Sequence, residues 1–444
     1  MNKEDLMKKY GLSGNPLRGL TGATWGFFIG FAAVALYGPA AKTFKESMGL
    51  SGFLLGILVA VPQLTGSLLR IPFGAAVDQV GGKRPYLILF TLSLLGMAGL
   101  TSILFLVPKS ELNFSYYYWV LGLGVLCGCG VATFSVGIPQ VSYWFPQSKQ
   151  GWALGIFGGL GNTAPGIFTL ILPFALAALG LPGAYASWLV FLLLGTLLYA
   201  FVARDTFYFQ LRRAGLSRDE AIKGAKELGQ ELIPSGQAVA GLKKSASIGR
   251  TWALVTLYFI SFGGFLALTA WYPAYWSLYQ GVDGRMAGVL TAVGFSLLAS
   301  LVRVAGGNLA DKVGGEKMAL ISYALIFLGA GVMVAARGFF PALVGEMILG
   351  AGMGLANAAV FKLVARYVPE AVGGASGWVG GLGAFGGFIV PPLLGLFADN
   401  YGKEGYAWGF VLYLIFALMG LAVSWGLKQY HGVRMAAPKA APAR

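Results

Sequence analysis

Polar residues along this chain are few and clustered, and the stretches between them are almost wholly apolar. Runs near 20–42, 51–77, 86–107, 116–141, 150–178 and 184–203 are followed by a polar interval. Six more follow near 250–278, 284–310, 317–336, 339–365, 372–398 and 407–427. A helix needs about 20 apolar residues to cross a bilayer, so the pattern predicts twelve membrane-spanning helices, six on either side of the interval. The expected organisation is a first bundle over 1–203, a connector over 204–249, and a second bundle with a tail over 250–444. Within the connector Ser217 and Glu220 form an S-x-x-E capping box, which predicts a short amphipathic helix over Arg218–Leu232.

Composition agrees with this reading and narrows the function classes. Of 444 residues 57% are hydrophobic and 11% charged, and mean hydropathy is +0.71. A soluble domain carries about 25% charged residues, so a soluble enzyme, a disordered chain and a disulfide scaffold are all excluded. The amino-terminal MNKEDLMKKYGLSGNPLRG is polar, so no signal peptide is expected. Cys127 and Cys129 are two residues apart in an apolar run and would not face each other on a helix. His431, the one histidine, lies in the tail. No cofactor, metal cluster or nucleophile is therefore expected, and an enzyme is disfavoured.

The net charge of +15 has its explanation in loop topology rather than in nucleic acid. With the amino terminus inside, 24 of the 32 basic residues fall on the cytoplasmic side, nine of them in 204–250. The positive-inside rule then predicts cytoplasmic termini in a multi-pass inner-membrane protein. The basic connector is expected to lie near anionic lipid headgroups.

Two internal repeats divide the chain into related halves. RIPFGAAVDQVGG begins at Arg70 and RVAGGNLADKVGG at Arg303, both reading R-x3-G-x3-D-x2-G-G. GIFGGLGNTAPG begins at Gly155 and GWVGGLGAFGGF at Gly377. Each arginine is eight residues from the aspartate that marks the end of its span, about 12 Å along a helix, which places it near the membrane midplane. An arginine there costs at least about 2.5–3.5 kcal/mol. Of the 17 acidic residues only Glu346 falls within a span, and off-centre. Two central arginines with no facing carboxylates make a site for an anion, onto which a guanidinium forks.

The remaining repeated residues suggest packing and gating. Gly155, Gly158, Gly159 and Gly161, with Gly377, Gly380, Gly381 and Gly383, form small-residue stripes that let helix backbones approach closely. Asn162 is the one amide in these tracts and can donate to an oxyanion. Asp78 and Asp311 lie at helix C-termini, where the dipole disfavours a carboxylate. Each is expected to dock on a nearby cation such as Lys83, Arg84, Lys312 or Lys317, or on a helix N-terminus of the other half, as part of a cytoplasmic gate.

Twelve spans in two halves, with G-x3-D-x2-G-G after spans 2 and 8, resemble the major facilitator superfamily. The paired glycine tracts and the two arginines resemble, more narrowly, its bacterial nitrate/nitrite porter family, over roughly 20–427. The resemblance implies an all-α membrane fold of two pseudo-symmetric six-helix bundles that alternately expose a central site. It further implies that Arg70 and Arg303 hold the anion, that Asn162 and the glycine tracts line its path, and that Phe134 and Phe265 sandwich it. Pro165, absent from the second tract, is expected to alter span 5 locally.

The function expected on these grounds is exchange of nitrate and nitrite by a monomer embedded in lipid, with no nucleic-acid partner. Alternatives are nitrate/proton symport, or exchange of another small anion such as a carboxylate. Exchange is favoured because a titrating group near the site is needed for symport and only the off-centre Glu346 is available. Two facing guanidiniums would also repel in an empty site: at about 7 Å and an effective dielectric near 20 the cost is roughly 2–3 kcal/mol.

Overall fold

The computed structural model describes residues 3–234 and 236–436; the side chains of Asn308, Asp311 and 431–436 lie outside the description. The protein is helical throughout these residues, with eleven stretches long and apolar enough to cross a membrane. One of them, Gln147–Val202, has 56 residues, about 84 Å of helix and more than twice what a bilayer requires. It is two spans, divided at Gly180, whose φ of +68° and ψ of 179° break the helix. The twelve spans are thus Pro16–Met48, Gly52–Val80, Lys83–Leu106, Phe114–Ser142, the two parts of Gln147–Val202, Gly249–Tyr279, Gly284–Gly307 (continuing helical to Val313), Gly315–Ala335, Phe339–Tyr367, Pro369–Trp408 and Val411–Tyr430. They are numbered 1–12 below.

The R-x3-G-x3-D-x2-G-G repeat has one structural reason visible in both halves. Gly81 (φ +81°) and Gly314 (φ +92°) end spans 2 and 8 in the left-handed region, which glycine enters without a Cβ penalty. Beside Gly81, the Asp205 carboxyl accepts from the Lys83 amide at 2.9 Å and ion-pairs with Arg213 at 2.7 Å.

The connector holds more helix than its capping box alone suggests. Phe207–Arg213 and Ala238–Ala246 are helical as well. The predicted helix starts at Arg218 with both capping-box bonds formed. It ends at Glu227 rather than Leu232, because Gly229 turns out with φ of +93°.

Spans 3, 9, 10 and 12 run as unbroken helices, and the spans that carry the repeated and aromatic residues do not. Span 1 passes into a 3₁₀ turn at Ala32, span 2 breaks at Leu69, and span 4 is 3₁₀ over Gly128–Ala132. Span 5 breaks at Asn162–Thr163, immediately before Ala164 and Pro165 start a new helix. Spans 7 and 8 contain π-helical segments, Phe259–Gly263 and Leu290–Leu297. Irregular backbone is tolerated at membrane depth only where protein buries it or it lines a cavity, so these interruptions converge on the functional centre.

Candidate functional site

Arg70 is the first residue after the break in span 2, and it is 1% exposed. Its Nε donates to the Gly66 carbonyl at 3.0 Å, and its Nη1 reaches across to Gly380 O in span 11 at 3.1 Å. Its Nη2 is buried and has no partner. Arg303, in span 8, likewise has a buried Nη1 without a partner. Neither arginine forms an ion pair among the described residues. The two guanidinium carbons lie 5.2 and 5.5 Å from the centroid of one ring, Phe262, and so at most about 11 Å from each other. At that separation and an effective dielectric near 20, their repulsion is at least about 1.5 kcal/mol.

Phe262 belongs to a file of near-parallel rings. It stacks on Phe134 at 6.2 Å and 27°, and on Phe265 at 5.9 Å and 27°. Arg70 also sits 5.0 Å from Phe134 and 6.0 Å from Phe31. Tyr258, one turn before Phe262, stacks on it at 4.8 Å; its buried hydroxyl faces the Arg303 guanidinium and lies within electrostatic reach of Arg70. The geometry therefore brings Arg70, Arg303 and Phe134 together around Phe262, whereas Phe265 lies behind that ring and stacks onward on Phe295. The segment FISFGGF offers phenylalanines at 259, 262 and 265. Residues three apart share a helix face, so α-helical spacing cannot choose between 262 and 265; the π segment does.

Asn162 occupies the break in span 5. Its carbonyl accepts from Ser300 Oγ at 3.0 Å, one turn before Arg303, while both amide atoms of its side chain are buried and unpartnered.

The glycine tracts divide by environment. A β-carbon on Gly381 would lie 2.6 Å from Ile71 Cγ1, one on Gly159 3.1 Å from Val304, and one on Gly377 3.1 Å from Leu242. Gly161 and Gly383 are closed by Phe27 and by the Tyr258 and Val379 atoms. Gly155 and Gly158 face open space, and Gly380 almost does. The stripe thus serves contacts between or within spans at four positions and a contact with the connector helix at Gly377, and at Gly380 it supplies a carbonyl to Arg70.

A cavity of about 420 Å³ leads from Arg70 and Phe134 to the face that carries the connector. It passes Gly74, Asp78 and Tyr143, and is bordered by Gln237, Ala238, Gly241 and Leu242 of the connector. The connector helix Ala238–Ala246 is seated on span 11: Trp378 Nε1 donates to Leu242 O at 3.0 Å, and Gly374 packs on the Gly241 carbonyl. Asp78 accepts a hydrogen bond from the Tyr143 hydroxyl of its own half rather than docking on Lys83 or Arg84. Lys83 Nζ turns instead to Ala200 O at 2.6 Å, because Asp205 already occupies the turn that Gly81 and Lys83 make. The Asp311 side chain lies outside the described residues.

At the opposite face the halves are shut. A β-carbon at Gly38 would meet Ala270 O at 2.7 Å and one at Gly288 would meet Thr169 O at 2.6 Å. Gly56 abuts Pro391, and Gly52 and Gly395 touch backbone to backbone. The Asp399 carboxylate caps the start of span 2, accepting from the amides of Gly52 and Phe53.

Two overlapping stretches, residues 23–345 and 280–442, match the Major Facilitator Superfamily. The chain belongs to that superfamily. In agreement, the porter superimposes on the xylose transporter XylE from E. coli with a TM-score of 0.70, covering 94% of this chain and 99% of that one, at 16% identity. This likeness is one of fold. In sequence it is 30% identical to the probable nitrate/nitrite antiporter NarK1 of Thermus thermophilus, over 90% of this chain and 89% of the relative. It is 29% identical to the probable nitrate/nitrite transporter NarK2 of Mycobacterium tuberculosis (89% and 93%), and 26% identical to the probable nitrate transporter NarT of Staphylococcus epidermidis (90% and 94%). These identities, sustained over nine-tenths of each chain, place the porter in the nitrate/nitrite family that its motifs resemble.

Proposed function

We propose that this porter carries nitrate and nitrite across the cytoplasmic membrane in exchange for one another, as a monomer with both termini and the connector inside. The observation that carries the reading is the pair of arginines from opposite halves, Arg70 and Arg303, each with a buried donor left without a partner and each facing Phe262. Their unpartnered donors, the Tyr258 hydroxyl and the Asn162 amide form a donor set with no carboxylate paired to it among the described residues, and the relatives' names supply the anion. A flat oxyanion between Phe134 and Phe262 needs about 7 Å between ring planes, within 1 Å of the 6.2 Å centroid separation. Phe262 thus takes the sandwiching place that the resemblance implied for Phe265.

Alternating access has direct structural support. The halves are closed at the face of Asp399 and leave a cavity from Arg70 to the connector face, the arrangement of a porter open to the inside. Rocking about the central site would exchange these conditions. Asp78, hydrogen-bonded to Tyr143 in the cavity wall, remains assigned to the inner gate.

The test is uptake of labelled nitrate by reconstituted vesicles, with unlabelled nitrate, nitrite, chloride and formate as competitors. Nitrate and nitrite should compete with each other far better than chloride or formate does. Equal competition by formate would transfer the site to carboxylates. Nitrate/proton symport is kept as a second reading because Glu346, wholly buried, has one carboxyl oxygen with no partner.

A further inference from the structure

A second recess, of about 630 Å³, lies on the connector face of the first half and shares no residue with the cavity that leads to Arg70. Lys83, Arg204 and Arg213 line it, together with one acid, Asp205. That carboxylate has no exposed surface: the Lys83 amide and Arg213 Nη1 take its two oxygens. Arg18 stands next to it, held through Nε and Nη2 by the carbonyls of Val202 and Phe201. Four cations therefore gather around one carboxylate that is already fully engaged, and the recess keeps a strong positive excess.

Arg213 is held by its pair with Asp205, whereas Arg18, Arg204 and Lys83 are held by backbone carbonyls and the Ser13 hydroxyl and have no counter-ion among the described residues. Arg204 donates through Nε to Ser13 Oγ at 3.2 Å and through Nη1 to the carbonyls of Phe201 and Ala203, at 2.9 and 3.0 Å. Its Nη2 makes no such bond. Lys83 Nζ gives one bond, to Ala200 O, and has two hydrogens left. A guanidinium and an ammonium fixed side by side with donors to spare fit a phosphate, whose oxygens accept several charge-assisted bonds at once.

Position identifies the source of that phosphate. Lys83 begins span 3 and Ala200–Val202 end span 6, so the recess lies where helices leave the hydrocarbon, at headgroup depth. Phe201, on the same turn, is 73% exposed and offers an aromatic surface for an acyl chain beside the charged recess. We propose that this recess binds the phosphate of an anionic phospholipid. Such a lipid would join the amino-terminal arm, spans 3 and 6 and the connector helix Phe207–Arg213 at one point. The inference is independent of which anion the porter moves.

The experiment uses the full chain in detergent and follows thermal unfolding as phosphatidylglycerol, phosphatidylcholine or inorganic phosphate is added, alongside native mass spectrometry for retained lipid. Phosphatidylglycerol should raise the midpoint by about 3 °C or more at saturation, and one molecule should remain bound; phosphatidylcholine should do neither. Arg204→Gln, alone and with Lys83→Gln, should lose both effects. Lys243→Gln/Lys244→Gln, which removes the same charge from the connector elsewhere, should keep them. Equal losses in the two sets of variants would reduce the effect to general surface charge and overturn the site. A saturable shift with inorganic phosphate equal to that with the lipid would assign the recess to a free phosphoryl compound and overturn the lipid. If Arg204→Gln proves too unstable to melt cleanly, retention of phosphatidylglycerol by the wild type against phosphatidylcholine still decides.

Discussion

Arg70 in span 2 hydrogen-bonds the carbonyl of Gly380 in span 11, at 3.1 Å, from the other half of the molecule. Nε and Nη1 are thereby tied to Gly66 and Gly380, while Nη2 is buried without a partner. Lysine has neither the fork nor the reach to make both backbone bonds and still serve an anion. Arg70→Lys and Arg303→Lys should each lower nitrate uptake at least about tenfold, a loss of about 1.4 kcal/mol, in protein that still inserts and folds. Near-normal uptake in both would remove these arginines from the site.

The glycine tracts should not respond uniformly. Gly381→Ala puts a β-carbon 2.6 Å from Ile71, next to Arg70, and spans 2 and 11 cannot part without disturbing the Gly380 bond. Uptake should fall about tenfold or more, as expected when overpacking costs 1–3 kcal/mol. Gly155→Ala and Gly158→Ala project into open space, and alanine is the better helix former. Both should transport within about twofold of wild type. A strong defect at Gly155 with none at Gly381 would reverse the division.

Phe262 and Phe265 are separated by one turn and by function. Phe262→Ala removes the ring that both arginines face, and should relax discrimination between planar nitrate and a tetrahedral anion such as sulfate or perchlorate in competition assays. Phe265→Ala deletes a ring stacked behind it and should act chiefly on stability, costing about 3–5 kcal/mol as a buried phenylalanine does. Asn162→Ala should weaken nitrate affinity, by about 1–3 kcal/mol where the amide donates to a charged partner. Unchanged selectivity in Phe262→Ala would return the ring to packing.

Asp399 should act as a latch on the outer face. It is exposed, yet its carboxylate takes two backbone amides across the boundary between halves, Phe53 N at 2.8 Å among them. Asp399→Ala removes both bonds, and Asp399→Asn keeps one acceptor. Spin labels at Lys42 and Lys403, both at that face, should show a longer distance component in the alanine variant and a smaller one in the asparagine variant. Distance distributions identical to wild type in both would leave closure to the Gly52–Gly395 and Gly56–Pro391 contacts alone.

The fold was legible because membrane insertion writes itself into composition: twelve apolar runs, a basic connector and two arginine repeats need no tertiary knowledge. Arg70 could be placed at the centre for the same reason, since an unpaired mid-span arginine has few other uses. Helix periodicity failed where the backbone departs from α-geometry. Phe262 sits in a π segment, and it is this ring that both guanidiniums approach while Phe265 stacks behind it, a one-turn choice that the spacing in FISFGGF leaves open. The Tyr143 partner of Asp78 is not legible for a different reason: Asp205, 127 residues further along, takes the turn at Lys83 and so withdraws one of the cations that the sequence offers. Only the packed structure could reveal that competition. The two connector helices Phe207–Arg213 and Ala238–Ala246 carried no capping signal as clear as Ser217 and Glu220, and the second of them depends on the glycines of span 11 for its seat.

Coupling is the sharpest remaining division. Glu346 is wholly buried, and its Oε2 accepts from Trp276 Nε1 at 2.9 Å. It lies against Gly294 of span 8, nine residues before Arg303 and thus about 13 Å along the helix from it. A carboxyl so placed is tied to span 7 packing and is remote from Arg303. On the proposed site an empty porter would hold two unneutralised guanidiniums whose mutual repulsion a bound anion removes, so the loaded porter would rock more readily than the empty one. Labelled nitrate should therefore enter vesicles preloaded with nitrite at least about tenfold faster than empty ones, the ratio expected if the anion removes about 1.5 kcal/mol from the barrier. A pH gradient should leave that rate within about twofold, and Glu346→Gln, which keeps the acceptor for Trp276, should exchange as wild type does. Rapid uptake into empty vesicles under an acid-outside gradient, abolished in Glu346→Gln, would make the porter a nitrate/proton symporter with that carboxyl as its proton carrier.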